Sequence, residues 1–122
     1  MSQEHATPVV WFEVMGQDAD RLQDFYSELL GWRFERREPW PYGRVSPAAG
    51  GIAGGVGQAP DGSPGWTTFY TKVADLERTM ARATALGSRV LMEIQELRDR
   101  RIAVVTDPEG RPVGLCADPL RA

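Results

Sequence analysis

Four residues occur twice in this chain, in the same order and at nearly the same spacing. Asp18, Arg21, Leu30 and Gly31 recur as Asp75, Arg78, Leu86 and Gly87, an offset of about 57 in 122 residues. Each set follows a strand-like run, VVWFEVM in one half and WTTFYTKV in the other, and each leads back into one, WRFERR and SRVLME. Two copies of this length are too few for a solenoid, so the chain reads as a duplicated supersecondary unit. That confines the fold to architectures in which one small motif is used twice.

Within the first copy, Leu22, Phe25, Tyr26, Leu29 and Leu30 recur at helical spacing and predict an amphipathic helix. Asp18 or Asp20 is suited to cap its start, and Gly31 to end it in a left-handed conformation. In the second copy Leu76, Met80, Ala83 and Leu86 form the apolar stripe, Asp75 the cap and Gly87 the terminator. Three short strands are expected after each helix, at 32–37, 42–46 and 50–57, then at 89–92, 101–106 and 112–117. PWPYG, SPAAGG and DPEG mark the turns. The fold class is therefore α+β: a βαβββ unit over 8–57, a Pro- and Gly-rich linker over 58–65, and a second unit over 66–117, all in one domain spanning 1–122.

A strand's side chains alternate between faces. In VVWFEVM, Val10, Phe12 and Val14 share one face and are expected to meet the helix; Trp11 and Glu13 then point away. Thr68 and Tyr70, with Trp66, occupy the matching face of the second copy. A carboxylate inside an apolar strand is costly unless something pairs with it, and aromatics beside an acid on a concave sheet face resemble a pocket lining. A subunit interface, or a second small core in which Glu13 is merely hydrogen-bonded, uses the same residue types. Trp40 and Tyr42, in EPWPYGR, flank a turn placed to overhang such a cleft.

Composition removes several function classes. A formal net charge of −3 without a basic block offers nucleic acid no electrostatic footprint. No apolar stretch is long enough to span a bilayer, and MSQEHATP has no signal-peptide character. The single cysteine, Cys116, permits no internal disulfide and fits a reducing cytoplasm. The only histidine, His5, lies in a polar tail, so a Ser–His–Asp set has no candidate. GGIAGGVG is glycine-dense but leads into QAPDGSPG rather than a helix, which argues against a phosphate cradle and for close approach of a ligand or second subunit. Residues 93–101, EIQELRDRR, read as a solvated connection or a mobile lid.

Taken together, WFEV, the two DxxR segments, FYSELLGW and the closing DPEGRPVGL resemble the vicinal oxygen chelate superfamily over about residues 8–117. That superfamily includes glyoxalases, extradiol dioxygenases, and bleomycin- and fosfomycin-resistance proteins, and the chain is most similar to its glyoxalase-like branch. The resemblance implies paired βαβββ units forming a curved mixed sheet with a concave cleft, and a homodimer built side by side or with units exchanged about 58–65. It also implies four metal-ligand positions, which fall here on Trp11, Thr68, Gly114, and Ala53 or Gly54. None offers a carboxylate or imidazole, so neither a divalent metal nor another cofactor is expected.

Two functions follow from this reading. The first is a metal-free binding protein that takes a small, partly apolar or aromatic molecule in its cleft. Trp11, Glu13, Trp40, Trp66, Thr68, Tyr70 and Gly114 would line it. The second is an enzyme of lyase, isomerase, hydrolase or dioxygenase type, possibly metal-assisted. Glu13 would then be the general base, its pKa raised by burial against Trp11.

Overall fold

The computed structural model describes residues 6–36, 39, 41–47 and 50–120. Ten elements follow in order: β1 (Val9–Gly16), α1 (Ala19–Leu30), β2 (Phe34–Arg36), β3 (Tyr42–Val45), β4 (Ala53–Gln58), β5 (Trp66–Lys72), α2 (Leu76–Ala85), β6 (Val90–Glu96), β7 (Arg101–Thr106) and β8 (Pro112–Ala117). The chain is thus βαβββ written twice, as its repeat requires. Two compact units result, one of Val10–Thr68 and one built from Phe69 onward together with residues up to Val9.

The first unit's strands lie in the order β2-β3-β4-β1. β1 pairs parallel with β4, Glu13 opposite Gly55, while β4–β3 and β3–β2 are antiparallel. Asp18, not Asp20, caps α1, its carboxylate accepting from the Arg21 amide at 3.1 Å, and Gly31 ends the helix at φ 72°. The buried face of α1 is rotated from the stripe expected from spacing, keeping Leu22 and Tyr26 of it half-buried. Ala19 and Gln23 are the buried positions, whereas Phe25, Leu29 and Leu30 are 54, 63 and 51% exposed. Two side-chain hydrogen bonds to β4 set this rotation. The Ala19 amide donates to Gln58 Oε1 at 3.0 Å, and Gln23 Nε2 donates to the Val56 carbonyl at 2.8 Å. Gly43 leaves the space Gln23 occupies.

In the second unit the order β5-β8-β7-β6 repeats the first, with β5 parallel to β8 and the other pairs antiparallel. Here the helix buries the expected side: Leu76 and Met80 pack on Val73, Ala103, Val105, Leu115 and Ala117, with Ala83 at the margin. Each large apolar side chain withdrawn from water contributes about 1.5–3 kcal/mol. Leu86 is the exception, 70% exposed beyond the helix end. Residues 93–101 are solvated, as expected, with Gln95–Asp99 exposed, but they are a hairpin rather than an irregular connection: β6 runs to Glu96 and the Leu97 amide closes a turn onto the Arg100 carbonyl at 2.8 Å. Arg101, 4% exposed, donates from Nε to both Glu96 oxygens at 3.0 and 2.9 Å and from its terminal nitrogens to both Glu77 oxygens, tying α2 to this hairpin.

The segment 58–65 is fastened to the first unit. Gln58 ends β4, the Ala59 amide donates to the Gly16 carbonyl at 2.8 Å, and Gly65, at φ 87°, passes where any Cβ would meet the Met15 carbonyl.

Candidate functional site

The glycine-rich strand β4 explains the face on which Trp11 and Glu13 stand. Its side-chain positions are filled by rings from neighbouring strands: Phe12 covers Gly54 on the helix side, and Tyr42 covers Gly55 and Gly57 on the other. Phe12 also packs on Trp32, centroids 5.0 Å apart, and Trp32 stacks on Tyr26 of α1. The apolar set of β1 therefore meets the helix through Phe12, and Trp11 and Glu13 face away as strand alternation requires. The glycines serve the unit's own rings, where sequence reasoning assigned them to a ligand or second subunit.

On that face a chain of donors converges on Glu13. Tyr42 Oη donates to Oε2 at 3.3 Å, and Trp66 Nε1 donates to Oε1 at 3.2 Å. Trp11 Nε1 donates in turn to Tyr42 Oη at 3.2 Å, and the Arg44 guanidinium lies over the Trp11 ring at 5.4 Å from its centroid. Each carboxylate oxygen is thus held by a donor from a different strand. Trp11 is 9% exposed, and Glu13, Tyr42, Arg44 and Trp66 are half-buried. Such an arrangement offers the half-buried Trp66 indole for stacking, a cation held over the buried Trp11 ring, and an acid whose orientation is fixed before any ligand arrives.

Of the residues singled out from sequence, Trp11, Glu13 and Trp66 are brought together here. Thr68 and Tyr70 are buried, at 7 and 6%. In the second unit the Tyr70 ring lies over Gly114, occupying the place a Cβ there would take. Trp40 and His5 lie outside the described residues. Arg44 was missed as a site residue, and Tyr42, expected at a turn overhanging the cleft, belongs to the site from within the sheet. Tyr42 is not an exposed turn aromatic but a strand residue locked to Trp11 and Glu13. The alternation in YGRV puts both on one face, and β4 needs a large neighbour; the two signals together identify them.

The four implied metal positions carry no ligand chemistry. The Trp11 indole is a donor already given to Tyr42, Ala53 and Gly54 have no donor atom, Gly114 lies beneath Tyr70, and Thr68 presents only a hydroxyl. Among the described residues, no three His, Cys, Asp or Glu side chains cluster. The residues present do not fit a divalent metal at those positions.

Comparison with known proteins agrees with the fold. The model of the glyoxalase-like domain family matches residues 11–116. A glyoxalase/bleomycin resistance protein/dioxygenase superfamily member from Vibrio splendidus 12B01 superposes with a TM-score of 0.65 at 21% identity, covering 93% of this chain and 100% of that one. Methylmalonyl-CoA epimerase from Streptomyces coelicolor, in complex with 2-nitronate-propionyl-CoA, gives 0.59 at 17% identity, covering 95 and 100%. The epimerase from Mycobacterium tuberculosis gives 0.55 at 16%, covering 93 and 88%. No curated protein matches the sequence.

Proposed function

We propose, for a chain that belongs to the glyoxalase-like domain family and through it to the vicinal oxygen chelate superfamily, that it binds a small, partly apolar or aromatic molecule without a metal. The observation that carries this reading is Glu13, held between Tyr42 and Trp66 on an aromatic face. Aromatic side chains around a small number of placed polar groups are the usual lining of a small-molecule site. We place the working protein in the cytoplasm, consistent with its single buried Cys116, and as a homodimer, which the fold's exposed apolar helix α1 supports.

Gently purified protein examined by native mass spectrometry is expected to be a dimer carrying an organic adduct and no metal. Glu13→Gln tests the acid. Gln keeps the shape and one acceptor oxygen, so stability should change by about 1 kcal/mol, while ligand affinity falls well beyond that. Unfolding with binding intact would assign Glu13 to structure instead.

The similarity to methylmalonyl-CoA epimerases favours one second reading, in which Glu13 is a general base that removes a proton beside a carbonyl. Tyr42, within reach of Oε2, would steady the carboxylate. Proton exchange into a bound ligand from deuterated water, abolished by Glu13→Gln, separates catalysis from binding.

A further inference from the structure

We infer that the ligand is a small, flat, singly charged carboxylate whose acid group is received by Arg44 and whose far end donates a hydrogen bond to Glu13. The inference rests on the binding face proposed above and names what that face selects. Three described arginines are withdrawn from full exposure: Arg44, Arg100 and Arg101. Arg101 holds Glu77 and Glu96, and Arg100 lies 3.6 Å from Asp99. Among the described residues, Arg44 has only the Trp11 ring beneath it. Glu35 is directly opposite on β2, yet the two form no ion pair among the described residues. A guanidinium drawn partly out of water without an anion is costly, and a ring face returns only about 0.5–1 kcal/mol.

Register places the cation and the acid in one row. Arg44 is opposite Gly55 on β4, and Gly55 is opposite Glu13 on β1. Their backbones are two strand spacings apart, roughly 10 Å, and the floor between them is the hydroxyl end of Tyr42, seated where Gly55 has no side chain. A flat molecule lying along this row meets the Arg44 fork at one end and the carboxylate at the other, with indole at its sides. The planar fork matches a carboxylate bidentately. The nearby negative charge of Glu13 disfavours a dianion, which argues against a phosphate.

The test uses the full chain and four probes, read through the indole N–H resonances of Trp11 and Trp66. The probes are 4-hydroxybenzoate, neutral 4-methylphenol, cationic benzylamine and dianionic phenyl phosphate. 4-Hydroxybenzoate is expected to bind at least about tenfold more tightly than 4-methylphenol, the worth of one charge-assisted hydrogen bond. Arg44→Met, which keeps the stem over Trp11, should erase that difference, and Arg44→Lys should keep part of it. Equal or tighter binding of 4-methylphenol or benzylamine overturns the assignment of Arg44 while leaving the binding face standing. Preference for phenyl phosphate overturns the choice of carboxylate. If no probe moves either indole, the inference and the binding face fall together. An Arg44→Met protein that loses stability but keeps the carboxylate preference reduces Arg44 to a stacking partner of Trp11.

Discussion

Adding one methyl group to β4 tests the packing on which Glu13 depends. A Cβ at position 55 would run into the Tyr42 ring and hydroxyl, so Gly55→Ala must displace the residue that donates to Glu13 and accepts from Trp11. The expected cost is about 1–3 kcal/mol by chemical denaturation, with the indole resonance of Trp11 shifted even where the protein stays folded. Gly50, with nothing within reach of a Cβ, should show no such resonance change on the same substitution. At this scale Glu13 was legible in the sequence, because an acid inside an apolar strand has to be explained. Tyr42 was legible as an aromatic near the cleft but not as the partner of Glu13, and Arg44 was not singled out, because both roles depend on the register in which β3 lies beside β4.

Arg101 shows how elements distant in sequence are joined by charge. Its hydrogen bonds to Glu77, foremost among the causes, hold that carboxyl at about 2, well below its ordinary 4.5. The folded state therefore binds this proton less readily than the unfolded chain does. The stabilisation is fully present above about 4.5 and is lost as the pH falls through about 2. Denaturation midpoints should decline across this window, and Glu77→Gln should flatten that part of the profile. Both caps and both helix terminators were readable from Asp and Gly placement. The buried face of α1 was legible only in part, since hydrophobic spacing names Leu22 and Tyr26 but not the hydrogen bonds of Gln58 and Gln23 that bring Ala19 and Gln23 inward and leave Leu29 and Leu30 outside. The length of β6, whose charged run continues into a hairpin because Arg101 gathers the carboxylates of Glu77 and Glu96, was not.

For the whole molecule, the duplicated βαβββ plan was visible because each copy carries its own cap, stripe and terminator. Ligand identity was not, since it rests on where non-local side chains meet. Among the described residues no helix is long and apolar enough to cross a membrane. If the four implied metal positions are as empty of ligand chemistry as their side chains indicate, prolonged dialysis against a chelator should change neither melting temperature nor ligand affinity. A fall in either, reversed by a divalent cation, would point to a metal held elsewhere. Cys116, the one thiol in the chain, is buried in β8, and burial raises its pKa above the ordinary value. The protein thus carries its own clock for opening of the second unit, read by adding a thiol reagent and timing the modification. Ligand seated on the first unit should slow that clock when opening means global unfolding, and leave it unchanged when the strands around Cys116 part on their own.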